Sequence, residues 1–262
     1  MSPAPDHSPS AAAPLLQGLN RAQAEAVTSP AMPLRILAGA GSGKTRVLTR
    51  RIAHRVLDES IDPSHVLAVT FTRKAARELR QRLGALRLSG PVTTGTFHAL
   101  AAAQLRQRWE ERRIDPPQLL ERKVGFVARL MPARASAARS NTATLDVVSE
   151  IEWAKARMIA AADYPAAASA AARRPSVDPD TVARVYERYE KEKLARRMVD
   201  FDDLLRLATR DLRADEEFAA ARRWRFRHLF VDEFQDVNPL QRALLGEWMG
   251  DRLDLCVVGD PN

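Results

Sequence analysis

The sequence predicts an α/β fold in which helices flank a parallel sheet and a helical subdomain is inserted into the chain. From Leu34 onwards, short apolar runs alternate with segments of helical spacing, which is the pattern of parallel strands joined by crossover helices. Between residues 101 and 200 the strand signals disappear, and alanine, arginine and helical spacing dominate. Strand-like runs return after residue 226, so the helical stretch interrupts one α/β domain rather than ending it.

The predicted elements follow from apolar runs and from the breaks between them. A first strand at 34–38 leads into a glycine-rich loop and a helix over 45–57. Apolar and β-branched residues predict further strands, and the intervening amphipathic stretches predict helices. The strands are expected at 66–70, 92–94, 227–231 and 253–258, and the helices at 73–86 and from His98 onwards.

Composition divides the chain into three parts. Residues 1–18 are rich in Pro, Ala and Ser and are expected to form a disordered tail. Residues 19–100 and 201–262 are expected to form one domain, and residues 101–200 an all-helical insertion. The chain stops soon after its last predicted strand, so we expect a domain that is truncated at its C-terminus.

Bulk composition excludes some classes of protein. No run approaches the roughly 18–20 apolar residues that a membrane span needs, and a single cysteine, Cys256, excludes an intrachain disulfide framework. Cys256 lies in an apolar run and is expected to be a buried structural thiol, which fits a cytoplasmic protein. The net charge of +8 suits a polyanionic partner. Most of that charge lies in the insertion, which favours a DNA-facing role, although solvated helix faces would explain it nearly as well.

The glycine-rich loop has the context of a phosphate-binding P-loop. A strand precedes it, a helix follows it, and it ends in Gly-Lys-Thr. Backbone N–H groups of such a loop surround phosphates, and the helix N-terminus adds partial positive charge. We expect Lys44 to contact the β- and γ-phosphates and Thr45 to bind Mg²⁺. The residues of the loop are Ala38, Gly39, Ala40, Gly41, Ser42, Gly43, Lys44 and Thr45.

A pair of acids, Asp232 and Glu233, follows the predicted strand at 227–231. An acidic pair after a strand is common by itself. With a P-loop in the same chain, one ATP site explains both features, with Asp232 holding Mg²⁺ and Glu233 orienting or deprotonating the attacking water.

Seven segments, taken in chain order, together resemble superfamily 1 DNA helicases of the UvrD/Rep/PcrA type, with actinobacterial UvrD-type paralogues the most similar. Asp232-Glu233-Phe234-Gln235-Asp236 resembles the DExxQD signature, and the loop ending at Thr45 matches AGAGSGKT letter for letter. The other five are Leu19 to Gln23 (Q motif), Val69 to Ala76 (motif Ia), Gly95 to Ala99 (TFH), Asp200 to Leu204 (DFDDL) and Val258 to Asn262 (motif III).

The resemblance implies a RecA-like motor domain that uses ATP and Mg²⁺ and moves 3′→5′ on single-stranded DNA, at duplex junctions, in repair or replication. It implies that Gln23 reads adenine, and that a second RecA-like domain completes the ATP site. The residues expected to contact DNA are Phe71, Thr72, Arg73, Thr96, Phe97 and His98. Arg73 replaces the asparagine usual in motif Ia, which adds positive charge beside the expected DNA path.

Two other interpretations stay open at this point. The chain is also compatible with the motor part of a helicase–nuclease of the RecB/AddA kind, or with a catalytically incompetent module that binds nucleotide and DNA. For these 262 residues alone, weak or undetectable unwinding is expected.

Asp200, Asp202 and Asp203 could pass for a metal cluster, but helix capping is the better explanation. Trp153, Trp224 and Trp248 fall in helical patterns and are expected to pack.

Overall fold

The computed structural model describes residues 13–58, 61–132 and 141–261. These residues form two compact units, one from the described parts of Met1–Ala99, Leu212–Val237 and Leu245–Asn262, the other from Leu100–Asp211 and Asn238–Leu244. The expected insertion at 101–200 thus corresponds to a unit that runs to residue 211 and includes a second, short segment. Residues 1–12 of the expected tail lie outside the described residues, as does Asn262 of the last motif.

The strands of the described residues are β1 (Leu34–Leu37), β2 (Val66–Thr70), β3 (Thr93–Thr96), β4 (Gln118–Leu119), β5 (Met198–Val199), β6 (His228–Val231) and β7 (Leu255–Gly259). The helices are α1 (Arg21–Thr28), α2 (Lys44–Leu57), α3 (Arg73–Ala85), α4 (Phe97–Glu111), α5 (Lys123–Ala128), α6 (Asn141–Ala156), α7 (Tyr164–Ala170), α8 (Pro179–Ala195), α9 (Phe201–Ala214), α10 (Glu216–Arg225) and α11 (Pro239–Met249).

The first unit is built on a five-stranded sheet in the order β1-β7-β6-β2-β3, with every neighbouring pair parallel. All five residues of β2 are buried, whereas β1, at the edge, alternates between half-buried and exposed residues. This contrast explains why β2 reads as a continuous apolar run, since an inner parallel strand is covered on both faces. The predicted parallel α/β fold is confirmed.

One face of this sheet packs against α2 and α3. Leu48 and Ile52 of α2 join Leu79 of α3 in a buried cluster with Phe230 and Cys256 from the sheet. Burial raises the pKa of the Cys256 thiol to about 11, so the thiol stays protonated at neutral pH. The prediction of a buried structural cysteine is therefore confirmed.

Part of the expected N-terminal tail is ordered, and to that extent the prediction was wrong. Ala13–Leu16 form a 3₁₀ helix, and Leu15 is buried beside Ala53 of α2. The guanidinium of Arg50 donates hydrogen bonds to the carbonyl oxygens of Leu15 and Gln17. The composition of this segment does not predict these contacts, because they depend on a helix that lies more than 30 residues away in the sequence.

The second unit is mostly helical, but not all-helical as expected. β4 and β5 form a parallel ladder in which Gln118 pairs with Met198 and Leu119 with Val199. Strands of two residues leave no period to detect in a sequence. The core of this unit lies between α5, α6, α7 and α8 and includes Phe126, Ile151 and Tyr189.

The contacts of Asp200 and Asp203 support helix capping as their role. Asp203 N–H donates to Asp200 Oδ1 at 3.0 Å, and Asp200 N–H donates to Asp203 Oδ2 at 3.0 Å, so the two residues cap the start of α9 reciprocally. Their remaining oxygens face the ammonium groups of Lys155 and Lys193. Two buried lysines therefore occupy the position that a metal ion would need.

No helix in the described ranges is long and apolar enough to cross a membrane.

Candidate active site

The candidate site lies at the carboxyl ends of β1, β6 and β7, which meet at one edge of the parallel sheet. Ligand sites of open α/β sheets are formed at this edge by the loops that leave the strands. The loop after β1 begins beside β7, because Ala38 N–H donates to the carbonyl oxygen of Gly259 at 3.1 Å. The order β1-β7-β6 therefore brings together three loops that are far apart in sequence.

The glycine-rich loop has the backbone that its glycines permit. Gly41 and Gly43 have φ values of +74° and +86°, in the left-handed region that residues with a Cβ rarely adopt. Gly43 is the N-cap of α2 and offers no side chain to the first backbone N–H groups of that helix. These groups, together with the exposed loop from Gly39 to Ser42, form a helix N-terminus of the kind that binds anions.

Gln23 lies against this loop. Its side-chain Nε2 donates to the carbonyl oxygen of Ser42 at 2.8 Å, while its Oε1 accepts from Asn20 N–H at 3.0 Å. Asn20 and Gln23 form a capping box at the start of α1. The capping box fixes the orientation of the Gln23 amide beside the loop, and its expected role in reading adenine stays a prediction.

Lys44, the first residue of α2, is buried and points at two carboxylates. Its Nζ lies 3.1 Å from Glu233 Oε2 and 3.0 Å from Asp260 Oδ1. Desolvation opposes the charged form of Lys44, but the two carboxylates outweigh it and raise the pKa of the lysine above its ordinary value. Lys44 is therefore a fixed positive charge at neutral pH.

Thr45 and Asp232 form an oxygen-rich corner beside this lysine. The Thr45 hydroxyl donates to Asp232 Oδ2 at 3.3 Å, and Asp232 N–H continues the ladder by donating to the carbonyl oxygen of Val69. Burial and the neighbouring charge of Glu233 raise the pKa of Asp232 above its ordinary value. A buried carboxylate with too little positive charge around it, next to a hydroxyl, suits a hard cation such as Mg²⁺.

Glu233 is held by a glutamine that sequence reasoning did not single out. Gln235 Nε2 donates to Glu233 Oε2 at 2.8 Å, and Gln235 Oε1 accepts from Asp260 N–H at 3.0 Å. A Cβ on Gly259 would lie 2.6 Å from Gln235 Oε1, so a side chain at this position would displace the Gln235 amide. Glu233 itself has φ +50°, an uncommon conformation for a residue with a side chain.

Asp260 and Gln235 were missed as site residues although both lie in segments that carry the family resemblance. Their positions could have indicated them, because Asp260 directly follows β7, Gln235 lies in the loop after β6, and the carboxyl ends of parallel strands meet at one edge. Which strands are neighbours is set by the sheet order, and the alternation of elements along the chain does not reveal it.

The expected DNA contacts are only partly available at the surface. Thr72 and Arg73 are exposed at the start of α3, where the Thr72 hydroxyl accepts from Ala75 N–H at 3.0 Å, and Phe71 and His98 are half-buried. Phe97 is 1% exposed and stacks on Trp248 with ring centroids 6.1 Å apart, so it was wrong to expect Phe97 to line a DNA track. Thr96 is also buried, and its hydroxyl caps α4 by accepting from Ala99 N–H.

A strand–glycine loop–helix unit, an acidic pair after another strand of the same sheet and the parallel order of that sheet together define a P-loop domain. A family model described as the UvrD/REP helicase N-terminal domain matches residues 19–262. The chain therefore belongs to the UvrD/REP helicase family, as its motifs predicted.

Relatives named as helicases match nearly the whole chain. It is 44% identical to the ATP-dependent DNA helicase UvrD2 of Mycobacterium tuberculosis over 263 residues, which cover 95% of this chain and 37% of that protein. It is 37% identical to PcrA of Leuconostoc citreum, over 94% of this chain and 33% of that protein. It is 35% identical to UvrD1 of Mycobacterium leprae, again over 94% and 33%. The chain thus spans about a third of the length of these relatives.

Proposed function

We propose that this chain binds ATP and Mg²⁺ and contacts single-stranded DNA as the N-terminal motor domain of a 3′→5′ DNA helicase. The observation that supports the proposal most is the convergence of Lys44, Thr45, Asp232 and Glu233 at one edge of the sheet. The loops that carry them are almost 190 residues apart in sequence. Phosphate, metal and water would then be handled within one cleft.

Each side chain has a role that follows from its position. Gln23 borders the loop and would select the adenine base, while Lys44 and the N–H groups of α2 would hold the phosphates. Thr45 and Asp232 would hold Mg²⁺, which when bound neutralises charge that develops on the phosphates. Glu233, kept in place by Gln235, would orient a water molecule and accept its proton.

The proposed DNA contacts lie at the carboxyl ends of the strands beyond β6. The start of α3 offers backbone N–H groups and the exposed side chains of Arg73 and Lys74, a combination that suits phosphate. Phe71, half-buried and edge-on to Phe97 at 6.0 Å, is the aromatic residue that remains available for a base. Duplex junctions and a role in repair or replication belong to the same proposal for the whole protein.

Replacement of Glu233 by Gln tests the catalytic assignment. The glutamine keeps the size of the side chain and loses the base, so we expect hydrolysis of ATP to fall by at least about 100-fold. The affinity for a fluorescent ATP analogue is expected to stay within about threefold. Single-turnover hydrolysis of radiolabelled ATP is the suitable measurement, because it detects the slow turnover expected of these residues alone.

Glu217→Gln is the matched control, since Glu217 is exposed on α10 and contributes nothing to the cleft. Loss of nucleotide binding in Glu233→Gln would mean that the acid is structural. Unchanged hydrolysis would remove Glu233 from the mechanism.

A further inference from the structure

An exposed surface lies at the amino ends of β2, β6 and β7, on the edge of the sheet opposite the candidate active site. We call it the amino-end surface, and it consists of His65, Trp224, Arg225, Arg227 and Arg252. Trp224 is 63% exposed, which corrects the expectation that this residue packs in the core. Tryptophan is a mostly buried residue type, so a largely exposed indole between arginines calls for a functional explanation.

The indole of Trp224 is held in a fixed orientation. The guanidinium of Arg227 lies over its ring at 5.1 Å, and the His65 ring meets it edge-on at 4.8 Å. Arg227 also donates to the carbonyl oxygen of Trp224 at 3.1 Å and to His65 Nε2 at 3.0 Å. His65 Nδ1 in turn donates to the carbonyl oxygen of Arg225 at 2.9 Å, which assigns the neutral tautomer with the proton on Nδ1. An aromatic side chain with so little freedom loses little conformational entropy when it binds a ligand.

The positive charge of this surface is only partly compensated. In the described ranges, no carboxylate forms an ion pair with Arg225, Arg227 or Arg252, since Asp254 pairs with Arg55 and His228. Burial, followed by the repulsion of Arg223 and Arg227, lowers the pKa of Arg252, and the attraction of Asp254 offsets only part of this shift.

Three other carboxylates nearby reduce the charge only in part. Hydrogen bonds with Ser64 are the main cause of the lowered pKa of Asp62, and electrostatic interactions with His65 and Arg227 lower it further. Glu216 and Glu247 both pair with Arg223. An anion with several charges therefore finds unpaired guanidinium groups here.

We propose that the amino-end surface is a second contact site for single-stranded nucleic acid, with a base stacked on Trp224 and phosphates bound by Arg225, Arg227 and Arg252. Arginine binds phosphate through a planar fork of donors, and an exposed indole stacks on bases of any sequence. An acidic peptide is the less suitable occupant, because it would need an apolar pocket for an anchor residue. Leu253 is the exposed aliphatic side chain next to Arg252, and a single leucine does not form such a pocket.

The site is separate from the proposed DNA contacts at the start of α3. β2 joins the two edges, with His65 before its first residue and Phe71 after its last, and a five-residue strand is roughly 17 Å long. The inference needs neither nucleotide nor hydrolysis, so it does not depend on the proposed function.

Binding of an eight-nucleotide oligo(dT) by this chain tests the proposal. Quenching of tryptophan fluorescence reports stacking on the indole, and anisotropy of a labelled oligonucleotide reports total affinity. We expect Trp224→Ala to abolish most of the quenching and Trp224→Phe to retain most of the affinity, since phenylalanine also stacks. We expect the double variant Arg225→Ala/Arg252→Ala to weaken binding at least tenfold and to reduce the slope of log K against log salt by about 1.4.

The matched control is Arg21→Ala/Arg35→Ala, which removes the same charge from two exposed arginines that belong to neither proposed contact site and is expected to change affinity less than twofold. Arg73→Ala separates the two DNA proposals, because it affects only the start of α3. Equal binding and quenching by wild type, Trp224→Ala and the double arginine variant would overturn the inference. Binding of poly-glutamate in place of oligo(dT) would overturn it in favour of an acidic protein partner.

Discussion

Lys44 shows how a single residue couples the three loops of the candidate site. Its ammonium group is shared by Glu233 and Asp260, which follow β6 and β7, while its backbone begins α2. A polyphosphate that enters the loop competes with both carboxylates for the same charge. Nucleotide binding is therefore expected to rearrange Glu233 and Asp260, the residues nearest to the proposed chemistry.

Replacement of Asp232 by Asn tests whether the charge of this proposed Mg²⁺ ligand lowers the stability of the fold. A raised carboxyl pKa means that the folded chain binds the proton more tightly than the unfolded chain, so ionised Asp232 destabilises the fold at neutral pH. Asparagine keeps an acceptor for the Thr45 hydroxyl and removes the charge. We expect a higher melting temperature without nucleotide, by about 2–4 °C for each 1 kcal/mol gained.

The same substitution is expected to lower Mg²⁺-dependent affinity for an ATP analogue, which titration at fixed Mg²⁺ measures. Asp251→Asn, at an exposed aspartate, is the control and should leave both quantities nearly unchanged. A fall in the melting temperature of Asp232→Asn would show that its charge stabilises the fold instead.

Local sequence was sufficient to select several residues that meet at this edge of the sheet, and their roles stay proposals. Lys44, Thr45, Asp232 and Glu233 were predicted because a strand, a loop and a helix can be recognised from neighbouring residues. Gln235 and Asp260 were not, because their contacts depend on β7 lying between β1 and β6. The burial of Phe97 and the exposure of Trp224 were also missed, since an aromatic residue at the end of a strand or in a helix has the same local pattern whether it is buried or exposed.

Among the elements, α6, α8 and α9 of the second unit are joined by a buried network of charges. Lys155 of α6 donates to Asp200 and Asp203 at 2.9 and 2.7 Å, and Lys193 of α8 contacts the same two acids. Burial alone would raise the pKa of Asp200, but the two ammonium groups outweigh it and hold it well below its ordinary value. Burial likewise opposes the charge of Lys155, and the carboxylates outweigh it and raise the pKa of the lysine.

These shifts fix the pH range in which the network stabilises the unit. The contribution of Asp200 is present above the ordinary aspartate pKa of about 3.9 and is lost as the pH falls below it. The contribution of Lys155 is present below the ordinary lysine pKa of about 10.4 and is lost as the pH rises further. The network is therefore fully charged across the neutral range.

Replacement of Lys155 by Met is expected to destabilise the second unit by about 3–5 kcal/mol, because it leaves buried carboxylates with too little compensating charge. Urea unfolding followed by circular dichroism at neutral pH measures this loss. Lys191→Met is the matched control on α8, where an exposed lysine pairs with Glu187 and a change within about 0.5 kcal/mol is expected. Equal losses in the two variants would show that burial of the network adds nothing.

The elements themselves were largely predictable, with boundaries that shifted by a few residues. β2 was predicted at its observed bounds, and α3 and α2 to within one residue at each end. The two-residue strands β4 and β5 were missed, since pairing rather than periodicity defines them. The partners of Asp200 and Asp203 were missed as well, because Lys155 lies 45 residues from Asp200.

For the whole molecule, seven motifs in one order predicted the family, and the match over residues 19–262 confirms it. The parallel sheet follows from the alternation of strands and helices, but its strand order does not. That order brings the loops that carry the separate motifs together at one edge of the sheet. Polarity, DNA repair and the contribution of a second motor domain remain proposals for the whole protein.

We propose that one edge of the sheet is an ATP site centred on Lys44. Titration of the chain with a fluorescent ATP analogue in the presence of Mg²⁺ tests it most directly, with Lys44→Ala compared against Lys191→Ala. We predict saturable binding that Lys191→Ala leaves unchanged and that Lys44→Ala weakens by roughly 30-fold, which corresponds to about 2 kcal/mol of charge-assisted contacts. Binding by Lys44→Ala with the affinity of the wild type would show that Lys44 does not contribute to nucleotide binding.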